Sequence, residues 1–207
     1  CTDCGPRYSV IHTVPYDRER TAMQDFPKCD ACEADYTNPE NRRHHAQTIA
    51  CADCGPKLFL LDGEGNEVSG DPIEETAKLL DEGEILAIRG IGGFHIACVE
   101  SAAVKLKQVL GRPNQSLAVM MLEETMKEYV VAPSDADREL LTGPVHPIVI
   151  LDKLDPTSHP ELSQLHNLGV MLPYTALHHL LFQKLKSPLL VMTSANAPGT
   201  PMITDTE

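Results

Sequence analysis

Glu84-Ile85-Leu86-Ala87-Ile88-Arg89, then Gly90-Ile91-Gly92-Gly93, then Phe94-His95-Ile96-Ala97-Cys98-Val99 is the stretch that decides the fold class. A short apolar run reads as a buried strand, glycines interrupt it, and a second apolar run follows. Upstream, Asp71-Pro72-Ile73-Glu74 is a helix start. It has an acceptor at the N-cap, proline at the first helical position and glutamate at the capping-box position, and the helix should end near Gly83. Downstream, Ser101 is expected to cap a helix of about ten residues that ends at Gly111. Leu117 to Met121, Ile148 to Leu151 and Leu189 to Met192 are apolar enough for central strands, and Tyr174 to Lys186 has an amphipathic helical pattern. Asp152 to Leu168 carries Pro, Ser and His and reads as a long surface loop. Strands alternating with helices predict an α/β domain with a mixed sheet, over residues 71–207.

Residues 1–57 have a different composition. Six of the seven cysteines lie there, as the pairs Cys1/Cys4, Cys29/Cys32 and Cys51/Cys54, with scattered Pro and Gly and no long apolar periodicity. Such a segment buries too little surface to fold unaided, so metal ligation is expected to supply what the core lacks. Eighteen residues separate Cys32 from Cys51, a spacing that suits a zinc site built from two thiolate pairs. Thiolates at i and i+3 around a tight turn face one tetrahedral ion, and four of them leave no open position. The Zn²⁺ of Cys29, Cys32, Cys51 and Cys54 is therefore expected to be structural. Cys1-Thr2-Asp3-Cys4-Gly5-Pro6-Arg7 recurs as Cys51-Ala52-Asp53-Cys54-Gly55-Pro56-Lys57. A repeat copies a whole unit, so Cys1 and Cys4 read as half of a second metal site whose other pair would precede them, and the sequence as a piece of a longer protein. Within the second finger, Arg42-Arg43-His44-His45 reads as a solvated turn or an interdomain contact rather than a phosphate site. Residues 58–70 join the two regions: Leu58 to Leu61 is expected as a strand, Asp62 to Asn66 as a turn, and Glu67-Val68 as a short return strand.

Composition removes several function classes. Seventeen Lys and Arg against thirty Asp and Glu give a formal charge of −13, which repels a phosphate backbone and disfavours nucleic-acid binding despite the finger-like cysteines. The sequence holds no apolar run of the roughly eighteen residues that a membrane span needs. Paired cysteines suit metal rather than disulfides, hence a reducing compartment, and the expected location is cytoplasmic.

Two further clusters could carry chemistry. Arg89-Gly90-Ile91-Gly92-Gly93 would let a ligand approach the backbone closely, although no Lys-Ser or Lys-Thr follows as in a nucleotide-phosphate loop. His95 beyond it fits a core histidine as well as a site residue. Thr193-Ser194-Ala195-Asn196 ends an apolar strand, where hydroxyls and an amide can bind phosphate or a small carbonyl group, or simply form a polar turn.

Taken together, these stretches resemble the HypF-type carbamoyltransferases of nickel–iron hydrogenase maturation. The resemblance runs through Cys1 to Ser9, Pro15-Tyr16-Asp17-Arg18, the two later cysteine pairs, Arg42-Arg43 with His45-Ala46-Gln47, and Gly90 to His95. It continues through Arg112-Pro113, Leu117 to Met120, Leu168 to Thr175 and Thr193 to Asn196. It implies an acylphosphatase-like domain, two zinc sites, a YrdC/Sua5-like domain and a large carbamoyl-transferring domain in the whole protein. This chain would hold half of the first zinc site, all of the second and most of the YrdC-like domain.

The resemblance also implies a reaction. Carbamoyl phosphate is hydrolysed to carbamate, the YrdC-like domain joins carbamate to ATP with Mg²⁺ to give carbamoyl adenylate, and the carbamoyl group passes to a cysteine of a HypE partner. In the wider family a Lys-x-Arg and a Ser-x-Asn motif serve the nucleotide. Ser194 and Asn196 match the second and Arg112 the arginine of the first, whereas Leu110 stands at the lysine and Gln115 at another usual lysine. Two lost cations should weaken a triphosphate site, and Lys107, one turn before Leu110, is the candidate to replace them. The nucleotide- and carbamate-binding set is thus Arg112, Ser194, Asn196, Thr193, Arg89, His95 and Lys107. A free-standing threonylcarbamoyl-AMP synthase and a zinc-stabilised docking module with a degenerate pocket are the competing expectations.

Overall fold

The structure, a computed structural model, describes residues 10–196 and 199–204. The chain divides into two compact units, Cys1–Glu67 and Val68–Glu207.

The first unit has almost no apolar interior. Met23, Cys32 and Ile49 are its buried hydrophobic side chains among the described residues. Order comes instead from polar staples. The guanidinium of Arg18, 9 % exposed, donates to the carbonyls of Gln47 (2.9 Å), Ile49 (2.7 Å) and Phe26 (2.6 Å), while its backbone N–H donates to Gln47 Oε1 (3.0 Å). One side chain thereby satisfies three carbonyls from two distant segments, a geometry that arginine's planar fork allows. Helix α1, Asp30–Thr37, is the unit's α-helix and carries Cys32 on its buried side. The expected strands after Leu58 reduce to a single bridge, Leu61 to Glu67, around a turn in which the Asp62 carboxylate accepts from the N–H groups of Glu64 and Asn66 (both 2.9 Å). Leu58, Phe59 and Leu61 are exposed, so no buried face fixes a ladder there.

The second unit is a six-stranded mixed sheet in the order β1-β2-β6-β3-β5-β4, with helices packed on it. The strands are β1 Leu86–Arg89, β2 Phe94–Cys98, β3 Ala118–Met121, β4 Val149–Asp152, β5 Asn167–Met171 and β6 Leu189–Ser194. Only β3 and β5 run parallel; every other neighbouring pair is antiparallel. The core is drawn from β6 (Leu189 to Met192), β3 (Val119 to Met121) and residues of the helices such as Leu80, Leu106 and Leu181.

Several sequence expectations need correcting here. Strands β1 and β4 are edges rather than buried centres, because each has a neighbour on one side only. In β4 this shows as alternation: Val149 and Leu151 are buried, while Ile148 and Ile150 are exposed. Asp71 does cap α2, Pro72–Asp81, accepting from the N–H groups of Ile73 and Glu74. The Glu74 carboxylate does not complete a capping box; it pairs with Lys184 Nζ at 2.6 Å and ties α2 to the segment after α6. Ser101 is not a cap. It lies inside a 3₁₀ turn, Glu100–Ala102, that leads directly into α3, Ala103–Val109, and Gly111 (φ +65°) turns the chain out of that helix. Helix α4 is Glu123–Met126, α5 is Asp135–Thr142, and α6 spans only Ala176–Phe182 with Thr175 as its cap.

The 152–168 segment is no simple surface loop. Lys153, 2 % exposed, donates to the carbonyls of Ser158 (2.6 Å) and Ser163 (2.7 Å), Leu162 is fully buried, and Asn167 already begins β5. A buried ammonium curls the loop round itself so that Leu162 can enter the core.

Arg18→Ala should destabilise the first unit by about 3 kcal/mol, since it leaves three carbonyls without donors. Protection of residues 10–57 against protease in urea reads this directly. Arg18→Lys should recover only part, because one ammonium cannot span the three acceptors; an unchanged protection midpoint in Arg18→Ala would refute the staple.

Candidate functional site

Four thiols converge in the first unit. Cys29 is the N-cap of α1 and Cys32 lies in its first turn; Cys51 and Cys54 flank a tight turn closed by Gly55 N–H donating to the Cys51 carbonyl at 2.8 Å. Gly55 is required, because a Cβ there would lie 2.8 Å from that same oxygen. The Sγ atoms of Cys29 and Cys51 are 3.7 Å apart, those of Cys51 and Cys54 3.8 Å, and those of Cys54 and Cys32 3.6 Å. A tetrahedral ion with arms of roughly 2.3 Å has edges of about 3.8 Å, so this thiol set is sized for zinc. Hydrogen bonds from the backbone at Cys29 and Cys51 hold the Cys54 thiol down to about 6, whereas burial pushes Cys32 up to about 12.

Arg43 is structural rather than a solvated cation. It pairs with Asp35 (3.1 Å) and donates to the Ala50 carbonyl (2.6 Å), fastening α1 to the second thiol pair. His45 stacks on Tyr36, with ring centroids 5.1 Å apart, and neither His44 nor His45 joins the thiol cluster. Cys1 and Cys4 lie outside the described residues.

In the second unit the polar end of β6 meets three other segments. Ser194 pairs with His95 across the β2–β6 ladder, and Thr193 with Ile96. Ser194 Oγ donates to Asn196 Oδ1 at 2.5 Å, and Asn196 Nδ2 donates to the Thr200 carbonyl at 2.9 Å. Arg112, half-buried just beyond α3, reaches the Asn196 carbonyl with Nη2 at 3.4 Å. A guanidinium, a hydroxyl and an amide thus meet at the carboxyl end of a central strand, the donor set that anionic oxygen needs.

The other expected residues are placed less uniformly. His95 is half-buried, its Nδ1 has no partner, and burial holds its pKa below the usual histidine value. Arg89 is exposed, its guanidinium 5.8 Å from the Phe94 ring centre. Lys107, 5 % exposed, makes no hydrogen bond or ion pair with Arg112, Ser194 or Asn196 among the described residues; burial holds its pKa below the usual lysine value, against the opposing charge of Glu161. Leu110 packs against the core and Gln115 is exposed, so neither position supplies a cation.

Sequence reasoning assigned no chemistry to Tyr174, which the structure makes a hub. Its ring lies 4.6 Å from His178, 6.1 Å from His146 and 6.4 Å from His95. The only signal was its place in the Leu168 to Thr175 match.

Glycines admit this packing. A Cβ on Gly90 would sit 3.0 Å from the His95 ring and 3.2 Å from the Tyr174 hydroxyl. Gly93 has φ +141°, and a Cβ there would meet the Ile203 carbonyl at 2.7 Å. That carbonyl accepts from Phe94 N–H (2.8 Å), while Ile203 N–H donates to the Ala195 carbonyl (2.9 Å), so residues 199–204 lie along the ends of β2 and β6. Cavities of ≈ 660 and ≈ 620 Å³ open elsewhere in the unit, and none of Arg112, Ser194 or Asn196 lines them.

A mixed α/β sheet with this strand-end site, preceded by a four-thiol finger, defines a class that comparison makes specific. The family model Sua5/YciO/YrdC, described as "Telomere recombination", matches residues 78–207, and the "HypF finger" model matches residues 29–61. The chain belongs to the Sua5/YciO/YrdC family and carries a HypF finger. It is 46 % identical to the carbamoyltransferase HypF of Rhodobacter capsulatus over 209 residues, 98 % of this chain and 28 % of that protein. Among solved structures it is similar to full-length HypF in the phosphate- and nucleotide-bound form (TM-score 0.87, 40 % identity, 100 % of this chain and 27 % of that one). It is also similar to T. kodakarensis HypF (TM-score 0.89, 45 % identity, 100 % and 28 %). The chain therefore spans a little over a quarter of the length of the relatives it matches. No helix among the described residues is long and apolar enough to cross a membrane.

Gly93→Ala should cost about 2–3 kcal/mol and detach residues 199–204 from β2, because both the backbone angle and the carbonyl contact oppose a methyl group. Hydrogen exchange at the Phe94 and Ile203 amides checks this; full protection in the variant would contradict it.

Proposed function

We propose that this chain is the finger and adenylate-forming portion of a HypF-type carbamoyltransferase. What carries the proposal is the convergence of Arg112, Ser194 and Asn196 at the end of β6, in a chain whose whole length matches a HypF solved with phosphate and nucleotide. Carbamoyl phosphate is the source of carbamate, ATP with Mg²⁺ the co-substrate, and a HypE-like protein the acceptor of the carbamoyl group; the setting is the cytoplasm. The domain assignment that goes with it is a finger region over 1–57, a connector over 58–70 and a YrdC-like domain over 71–207.

In the reaction a carbamate oxygen forms a bond to the α-phosphorus of ATP, and pyrophosphate departs with the electron pair of the broken P–O bond. Negative charge spreads over the equatorial oxygens as this happens, and preorganised donors stabilise it. Arg112 supplies the fixed positive charge. Ser194 and Asn196 hold one another at 2.5 Å, and rotation of the Ser194 hydroxyl away from Asn196 Oδ1 would turn its one proton toward the substrate. Thr193, Arg89 and His95 border that end of β2 and β6 and are assigned to the nucleotide or carbamate. Mg²⁺ would neutralise the leaving pyrophosphate. Lys107 is left out of the site, because it makes no hydrogen bond or ion pair with Arg112, Ser194 or Asn196 among the described residues. Zinc on Cys29, Cys32, Cys51 and Cys54 has a scaffolding role, since four thiolates close its coordination.

Leu110 and Gln115 favour one alternative, a docking module whose pocket binds no nucleotide. Calorimetry with ATP and Mg²⁺ separates the two. The proposal expects measurable heat, carbamate-dependent pyrophosphate release, and a loss of about 100-fold in that release in Arg112→Ala. Absence of heat would leave the docking module as the better account. Metal analysis should return about one zinc for the Cys29/Cys32/Cys51/Cys54 set, lost in Cys54→Ala together with protease protection of the finger.

A further inference from the structure

The sheet face that carries Ser194 continues to an apolar shelf to which the proposed reaction assigns no role. Strand register fixes which residues share that face. Met192, two residues before Ser194 on β6, points the same way. Val119 opposes Val191, so Met192 falls opposite Ala118; Ala118 in turn opposes Gly169, and Gly169 opposes Ile150. Ser194, Ala118, Gly169 and Ile150 therefore lie on one side of the sheet. Ile148 reaches the same place. A Cβ on Gly169 would stand 2.9 Å from Ile148 Cγ2 and 3.5 Å from Ile150 Cδ1.

Cover thins along this row. Met192 is buried, Ala118 and Gly169 are partly exposed, and Ile148 and Ile150 are 51 % and 62 % exposed. The residues that alternate with them, Val149 and Leu151, are buried on the other side of β4. Outward positions of an edge strand ordinarily carry polar or charged side chains. Here two isoleucines lean over a glycine and, with Ala118, make a contiguous flat apolar surface. Isolated exposed apolar residues are common and need no explanation. An apolar surface that runs on from a guanidinium, a hydroxyl and an amide has the composition of a ligand site, with apolar walls and a few polar groups gathered at one end.

Distance selects the occupant. Gly169 lies two strands across from Ser194 and two residues along. With strands about 4.8 Å apart and a rise of about 3.4 Å per residue, the two are separated by roughly 12 Å. A nucleotide whose α-phosphate meets Arg112, Ser194 and Asn196 covers that span, its ribose crossing Ala118 and its base reaching the isoleucines. Carbamate is too small to reach the shelf, and a bare phosphate chain gains nothing from an apolar surface.

We infer that the shelf of Ala118, Gly169, Ile148 and Ile150 seats the purine ring of ATP. Ile148 and Ile150 are then the residues that distinguish a nucleotide from inorganic polyphosphate. The inference rests on the proposed nucleotide site and adds a base-binding half to it. A planar ring laid on the isoleucines removes their surface from water and needs no hydrogen bond to do so. Gly169 keeps the shelf flat, because a side chain there would lift both isoleucines.

The test is calorimetry of the full 207-residue chain with two ligands, ATP and inorganic tripolyphosphate, each with Mg²⁺. ATP should bind about tenfold more tightly than tripolyphosphate. The double variant Ile148→Thr/Ile150→Thr keeps β-branched side chains at exposed positions, so the strand is retained. It should weaken ATP by about tenfold and leave tripolyphosphate unchanged, which also shows that the variant is folded. Arg112→Ala should weaken both ligands. ATP affinity unchanged in the double variant, or equal affinity of the intact chain for the two ligands, would overturn the shelf while the phosphate end stands; the isoleucines would then be a surface for another protein segment. No heat with either ligand would remove the nucleotide reading and the shelf with it.

Discussion

The pairing of β6 with a strand on each side is the constraint on which the α/β unit depends. Leu189 to Met192 are all almost fully buried, so both faces of β6 must be covered and both edges bonded. Strand β2 takes one edge and β3 the other, both antiparallel. A one-residue slip would move each of these side chains to the opposite packed face. The same register sets Ser194 opposite His95 and aims the strand's polar end at Arg112. Packing in the middle of β6 thus positions chemistry at its tip.

The finger is organised on a different principle. With Met23, Cys32 and Ile49 as its buried apolar residues, hydrophobic burial cannot outweigh the conformational entropy of some sixty residues. Arg18 and Arg43 join separate segments through carbonyl contacts, and the four thiols bring α1 and the Cys51–Cys54 turn to a common point. In such a unit a metal held by the four thiols would close a network already outlined by charged hydrogen bonds.

Much of this was legible in the sequence, for physical reasons. The i, i+3 thiol spacing and the 18-residue interval state a tetrahedral site almost directly, and the Asp71-Pro72 start marks α2 because both residues act locally. Features that depend on distant partners were not legible. Edge position in β1 and β4 is a property of strand order, which no window of sequence contains. The 152–168 segment looked like loop because its polar residues are visible, while the burial of Lys153 and Leu162 depends on carbonyls at Ser158 and Ser163 and on the core behind them. Ser101 had the composition of a cap, but it lies inside the 3₁₀ turn through which the chain enters α3. The hub at Tyr174 gathers His95, His146 and His178 from three separate stretches, and only the fold brings them together.

In the proposed function, nucleotide sits at the carboxyl end of β6. Amide NMR of the full chain during addition of ATP with Mg²⁺ tests it most directly. The account predicts progressive shifts at Arg112, at Thr193 to Asn196 and from Arg89 to His95, with the finger amides unmoved. Shifts confined instead to the cavity walls around Met126, Arg138 and Leu141, with the β6 end silent, would contradict it.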